Sequence, residues 1–521
     1  MIQQIAEGPA SVLRPRYLLL LACLTLAPLS TVAAESYDLV INQGRVIDPE
    51  SGLDGIRSLG IRSGKIVAIS ETPLEGPEEI NAHGLVVAPG FINLHSHAIA
   101  EPGYRLELLD GVTTVLELEA GSFPANRFGR QLGDRPLTHF GASVGHAWIR
   151  MRVIDPEGLA ELSRTGKLDM SAPAFTRRAD EAQRAQMKSL LEAELEAGGL
   201  GIGLLLDYMT TAVDEAELHM VFGVAATHQV PVFVHVRRGI AGDPAGLEEV
   251  IAMAETTGTS VHICHLNASA MNGVEDWLTK IDAARARGLD ITSEMYPWTA
   301  GSAAISADVF SRDWRTIFAI EYTDVQWAET GEWLTEERFK RYREERPDGQ
   351  TMHHYIKEDW NIQTLSRPYV VIASDAMPLT SYKRKVVPNG AGSSTQLLGR
   401  YVRDLGVLTM TDALARLSWL PATRLESFAP AFRNKGRIRE GADADLVLFD
   451  PDTVAARATY LDPFQPPIGI HSVWVAGKQS VHQGQLLNDP GVGTRLSRLA
   501  DSTLEARCDT NCEVSRAQES R

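Results

Sequence analysis

The sequence predicts an α/β protein: a (β/α)8 TIM barrel, with a small β-sandwich built from both chain ends. Three observations carry this. Short apolar strands alternate with amphipathic helices between residues 91 and 435. β-branched runs separated by turn residues flank that region on both sides. Within it, His and acidic residues recur where strands end, at intervals of whole βα units.

Along the chain, Arg14 and Arg16 precede the almost wholly apolar run Tyr17–Leu29, which the small residues of Ser30–Ala34 follow. This is the form of a secretory signal, so residues 1–34 are expected to be removed and the protein to be periplasmic or secreted. A lipobox-like Leu20–Leu21–Ala22–Cys23 is the competing reading; strong apolar character continuing beyond Cys23 weighs against it. Asp38–Ile41, Arg45–Ile47, Leu59–Arg62 and Lys65–Ile69 read as strands, and the same texture returns at Asp445–Phe449 and Ser472–Val475. Residues 35–90 and 436–490 are therefore expected to form one composite sandwich, since chain ends often lie close in space. In the barrel, residues 91–435, strands are expected at Pro231–Val236, Ser260–Cys264, Leu289–Met295 and Tyr369–Ser374, with helices at Ala245–Thr256 and Gly273–Ala286. Residues 305–360, with Trp314, Trp327, Trp333, Trp360 and the charged run Glu336–Glu345, break the rhythm. They read as an insertion, either a lid near the site or a surface excursion. Residues 491–521 read as a tail. Its Cys508 and Cys512 fit either a disulfide in an oxidising compartment or two free thiols.

Composition narrows the function. A formal net charge of −17 over 521 residues argues against nucleic acid as a partner, which demands a basic face. Four cysteines are too few for a disulfide scaffold, and beyond the signal no apolar run is long enough for a membrane span. A small-molecule substrate is the expected partner.

The chemistry-bearing residues start at Phe91–Ile92–Asn93–Leu94–His95–Ser96–His97. Alternate strand residues face one side, so His95 and His97 project together into the barrel mouth as two arms of a metal site. His235 follows Val232–Phe233–Val234, His265 follows Val261–Cys264, and Asp375 follows Val370–Ser374. The spacing puts them on strands five, six and eight, at one rim. Glu117 and Glu119 share a face of strand two, and an acid in an apolar strand is costly unless paired or metal-bound. Glu119 lies nearer the strand end and is the candidate bridging ligand, with Glu117 behind it; the reverse assignment stays open. Cys264 adjoins His265, but alternation is expected to turn it away into the core.

These residues carry a resemblance. Val87–Ala88–Pro89–Gly90–Phe91–Ile92–Asn93–Leu94–His95–Ser96–His97 resembles the opening motif of the amidohydrolase superfamily. Gly111–Thr114, Leu398–Arg403, Leu420–Ala422 and Gly441–Val447 continue it. Within the superfamily the chain most resembles the N-acyl-D-amino-acid deacylases (D-aminoacylase-like). The resemblance implies that His95, His97 and Asp375 hold one metal, usually zinc, and that His235 and His265 hold a second, with a strand-two residue contributing. That family typically has a Cys on strand two, where this chain has Glu117–Leu118–Glu119–Ala120–Gly121. Many superfamily members use a Lys on strand four, and Gly199–Tyr208 contains none. A Glu bridge is the simplest remaining choice, with one or two Zn2+ ions.

Zinc lowers the pKa of bound water toward ~7. Asp375 is then placed to take the water's proton and return it to the leaving nitrogen. The resemblance further suggests Tyr296, Arg237 and His146 as substrate-binding residues, although His146 also fits a packed strand histidine. The family often has Lys where this chain has Asn267, and His-Pro-Arg where this chain has Val387–Pro388–Asn389. The nearby Lys383–Arg384–Lys385 would either replace those cations or form a solvated run. The expected function is metal-dependent hydrolysis of an amide, in an N-acyl-(D-)amino acid or a dipeptide. The alternatives are a cyclic-amide or lactone hydrolase and a non-catalytic metal- or substrate-binding protein. Asp375 argues against the last, because holding metal requires no proton acceptor.

Overall fold

The computed structural model describes residues 36–488 and 491–499. The expected signal segment with Cys23, and Cys508 and Cys512, lie outside them. No helix among the described residues is long and apolar enough to cross a membrane.

Five strands open the described residues: β1 (Leu39–Asp48), β2 (Leu53–Arg62), β3 (Lys65–Ser70), β4 (Glu79–Asn81) and β5 (Val86–Pro89). Seven parallel strands follow: β6 (Phe91–Asn93), β7 (Val112–Ser122), β8 (His139–Gly145), β9 (Ile202–Leu205), β10 (Val232–His235), β11 (Val261–Ile263) and β12 (Ile291–Met295). Then come β13 (Gly301–Ala304), β14 (Val325–Trp327) and β15 (Gln350–His353), the last barrel strand β16 (Val370–Ile372), and β17 (Leu446–Phe449), β18 (Ile470–Val475), β19 (Lys478–His482) and β20 (Gln485–Leu486).

β17–β20 join β1–β5 in one nine-stranded sheet, through antiparallel pairing of β17 with β5. Its own core draws on both chain ends, with Ile41, Leu59 and Val87 packed beside Leu446 and Trp474. The barrel strands run in the order β6, β7, β8, β9, β10, β11, β12, β16. β16 meets β6 just past their carboxyl ends, where Asp375 N donates to His95 O and His97 N to Ala376 O, both at 2.9 Å. Backbone hydrogen bonds thus set three candidate ligands side by side. The barrel interior below them is plugged by Ile92, Leu94, Leu116, Leu118, Phe233 and Val371.

Two local features aim the ligands. Between Glu117 and Ser122 the register of β7 with β8 slips, pushing Glu119 inward toward β9. There Gly203 leaves room: a Cβ at that position would sit 2.3 Å from the Glu119 carbonyl oxygen. Past β11 and β16 the chain turns through left-handed residues at His265 (φ 32°) and Asp375 (φ 51°). Strand alternation therefore ends before both candidate ligands, and the surrounding barrel holds each in a strained backbone conformation.

β13, β14 and β15 form a separate antiparallel sheet over an aromatic core that includes Phe310, Trp314, Phe318, Trp327 and Phe339. The insertion expected at residues 305–360 is built into the barrel mouth, where its Val309, His353 and Tyr355 form pocket wall. At the other extreme, residues 491–499 are held on β8: Phe140 N donates to Thr494 O at 3.1 Å and Leu496 N to Phe140 O at 2.7 Å. The first part of the expected tail is thus paired to the barrel.

Candidate metal centre and active-site pocket

Six expected ligands converge. His95 Nε2 and His97 Nε2 face each other at 3.2 Å, with Asp375 Oδ1 at 3.4 and 3.5 Å from them. A second pair, His235 Nδ1 and His265 Nε2, faces at 3.1 Å. Glu119 stands between the pairs. Its Oε1 lies 2.9 Å from His235 and 2.8 Å from His265, and its Oε2 lies 3.2 Å from His95 and 3.5 Å from His97.

The far sides of the rings explain the facing pairs. His97 Nδ1 lies 2.7 Å from Glu117 Oε2 and His95 Nδ1 lies 2.5 Å from Glu294 Oε1. His265 Nδ1 contacts Ser269 Oγ at 3.2 Å, and His235 Nε2 lies 3.7 Å from Asp207 Oδ2. A carboxylate only accepts, so Glu294 and Glu117 favour a proton on the outer nitrogens of His95 and His97. The inner nitrogens face one another and the carboxylates of Glu119 and Asp375, a grouping that would suit a bound cation. This His-and-carboxylate donor set, with the outer nitrogens of His95, His97 and His265 anchored, fits zinc.

Electrostatics agree. Burial alone would raise the Glu119 carboxyl, but the charges of His95 and His235 and hydrogen bonds from His235 and His265 hold it well below the usual range. Glu294 is likewise opposed by burial, yet His95 and His262 bring it to about 2. Burial also opposes Asp207, which the nearby His235 imidazole at 3.7 Å and the charge of Arg238 hold below the normal carboxylate range.

No family model matches the chain. It is 29% identical over 497 residues to the N-acyl-D-glutamate deacylase of Alcaligenes xylosoxydans xylosoxydans, covering 88% of this chain and 96% of that one. It is 27% identical over 518 residues to the D-aminoacylase of the same organism, covering 90% and 99%. The fold matches the crystal structure of N-acyl-D-glutamate deacylase from Bordetella bronchiseptica, complexed with zinc and a phosphonate mimic of the tetrahedral intermediate. The TM-score is 0.75 at 27% identity, over 89% of this chain and all of that one. The chain thus resembles the D-aminoacylase-like amidohydrolases over nearly nine-tenths of its length.

The pocket over the cluster is lined by the candidate ligands His97, Glu119, His235, His265 and Asp375 and, beside them, by Tyr208, Arg238, Tyr296, His353 and Tyr355. Tyr296 thus stands where the resemblance suggested. Arg237 and His146 do not. The Arg237 guanidinium turns away, to the carbonyls of Met209, Thr210 and Val213 and to Glu249. β10 ends at His235, so beyond it strand alternation no longer decides facing, and the next residue, Arg238, is the pocket arginine. His146 opens the helix His146–Ile154 and is wholly buried against Glu217 at 2.7 Å, beside Arg150. It is a packed histidine. Lys383 and Arg384 are exposed, and Asn267 is tied to Tyr296 O and Asn361.

Cys264 packs in the core, as expected. It belongs to the barrel interior plug, with its Sγ within 4.8 Å of His95 and Glu294. The left-handed turn at His265 brings both neighbours inward. Cys264 stays outside the pocket lining and is fully buried, which pushes its thiol up in pKa and makes it a poor nucleophile. Sequence reasoning missed Glu294, Asp207 and Arg238. The argument that singled out Glu117 and Glu119, an acid within a barrel strand, applies equally to Glu294 in Ile291–Met295.

Proposed function

We propose that the protein hydrolyses N-acyl-D-amino acids, with zinc held by His95, His97 and Asp375 on one side and by His235 and His265 on the other. Glu119 is the proposed bridge between the two sides. The observation that carries this is Glu119 itself, whose two oxygens each face a different histidine pair. A carboxylate spans two ions readily, and it stands here in place of a thiolate. Glu117 is proposed to hold the His97 ring through Nδ1.

Zinc in such a donor set supplies Lewis-acid polarisation of a carbonyl and makes neighbouring water more acidic. The chain's own residues do the rest. Asp375, partly exposed at the pocket floor, accepts the proton of the attacking water and delivers it to the leaving nitrogen. Tyr296, Tyr208 and Tyr355 wall the pocket and keep water from its far side. The relatives named above act on acylated D-amino acids, which supports the D-preference. Residues 14–34 support export, which signal-peptide mapping of the mature amino terminus would test.

The test is a panel of N-acetyl-D- and N-acetyl-L-amino acids, dipeptides and cyclic amides, assayed with holoprotein, chelator-treated protein and zinc-restored protein. Release of acetate from D-substrates, abolished by chelation and restored by zinc, is expected. Full activity of metal-free protein, or turnover confined to cyclic amides, would overturn the reading.

A further inference from the structure

Arg238 stands in the pocket wall with hydrogen-bonding capacity that the protein does not use. It comes three residues after His235, and its side chain is only 9% exposed. Its Nε is buried with no partner. Its Nη1 reaches Asp207 Oδ2 at 3.5 Å, the limit of a hydrogen bond. Asp207 meanwhile has better partners: Arg312 Nη2 at 2.8 Å and the Arg238 backbone N–H at 3.0 Å. Asp308 lies against Arg312 at 3.2 Å. The other pocket carboxylates, Glu119 and Asp375, are turned to the imidazoles. The remaining neighbours are neutral. They are Tyr208, Tyr296 and Tyr355, the face of Phe318 at 5.8 Å, and His353, which burial and then Arg238 itself lower to about 3.

A buried guanidinium with unspent donors is costly unless an anion completes it. Its planar fork matches a carboxylate in a way that no pocket tyrosine does. Asp207 contacts both His235 and Arg238, so the unspent donors lie one residue away from the candidate metal ligands. In an N-acyl amino acid the α-carboxylate is always a few bonds from the scissile carbonyl, whatever the side chain. We propose that Arg238 receives this α-carboxylate and makes the enzyme selective for substrates with a free acid. The proposal rests on the deacylase reading above and names the group recognised.

The experiment compares wild type, Arg238→Gln and Arg238→Lys on N-acetyl-D-leucine, on its neutral carboxamide N-acetyl-D-leucinamide, and on the side-chain pair N-acetyl-D-glutamate and N-acetyl-D-glutamine, by acetate release. Arg238→Gln is expected to lose about 100-fold in kcat/KM on the acid and no more than about threefold on the carboxamide, with Arg238→Lys recovering part of the loss. Equal losses on both substrates would overturn the proposal. So would discrimination seen only between N-acetyl-D-glutamate and N-acetyl-D-glutamine, which would move the contact to the side chain. Calorimetric binding of N-acetyl-D-leucine to chelator-treated protein gives a second readout, expected to weaken at least tenfold in Arg238→Gln. If wild type releases acetate from no substrate, the deacylase reading falls, and the binding arm still decides whether Arg238 holds a carboxylate.

Discussion

Replacing Glu294 tests how the first histidine pair is held. Glu294 is 1% exposed and uses both oxygens: Oε1 accepts from His95 Nδ1 at 2.5 Å and Oε2 contacts His262 Nε2 at 3.1 Å. In Glu294→Gln, one position becomes an NH2 that must face an imidazole lone pair. The flip is easier at His262, whose other nitrogen meets the Thr292 hydroxyl at 2.7 Å, a group that either donates or accepts. His95 then keeps its acceptor but loses the negative charge behind it, and zinc affinity should fall about tenfold, or ~1.4 kcal/mol. Glu294→Ala strips both rings of their partner in a site closed to water. Affinity should fall about 100-fold, and unfolding stability by ~1–3 kcal/mol for each orphaned nitrogen. Competition with a chromophoric chelator measures the first quantity and urea denaturation of the apoprotein the second. Unchanged zinc affinity in both variants would refute the claim that Glu294 sets the His95 tautomer.

Three further outcomes follow from the same geometry. Glu119→Gln should lower zinc content by plasma mass spectrometry far more than Glu117→Gln; equal content in both would remove the bridge. Asp375→Asn should lose rate by ~100- to 10,000-fold, a much larger change than its loss of zinc, and persisting turnover would discard Asp375 as the proton carrier. Glu107 gives a pH effect. Burial raises its carboxyl to about 7 against hydrogen bonds from Ser96, Asn93 and Ser374. A raised folded pKa contributes stability that is complete below the ordinary value of 4.5 and is lost as pH rises through about 7. Wild type should therefore weaken between pH 5 and pH 8 by up to ~3 kcal/mol relative to Glu107→Gln in urea titrations, and parallel profiles would refute it.

The barrel, and the convergence of six candidate ligands at one rim of it, were legible because both follow from local rules. Parallel strands covered by helices are apolar runs of a few residues, and barrel chemistry gathers at their carboxyl ends. His95 and Asp375 need no long-range knowledge once β6 and β16 are known to be neighbours, since backbone hydrogen bonds between those segments put them together. What failed to show lies beyond the last ladder hydrogen bond of each strand. Arg237 and Arg238 are adjacent, and which one faces the pocket depends on a loop conformation that no period encodes. Cys264 does pack in the core, but its closeness to His95 and Glu294 follows from the left-handed turn at His265, just past the end of β11.

His353 and Tyr355 are a harder case. They come from β15 and the residues just after it, so their position depends on a three-stranded sheet whose partners lie far apart in sequence and whose core is aromatic rather than periodic. The pocket lining beside the candidate ligands is therefore assembled from two sources: loops after barrel strands, which supply Tyr208, Arg238 and Tyr296, and the insertion, which supplies His353 and Tyr355. The metal cluster rests on barrel backbone and the recognition wall does not. A change in the insertion should therefore alter which substrate is accepted while leaving the six-ligand cluster in place, and the substrate's acidic group is then read by residues that the metal motif alone could not reveal.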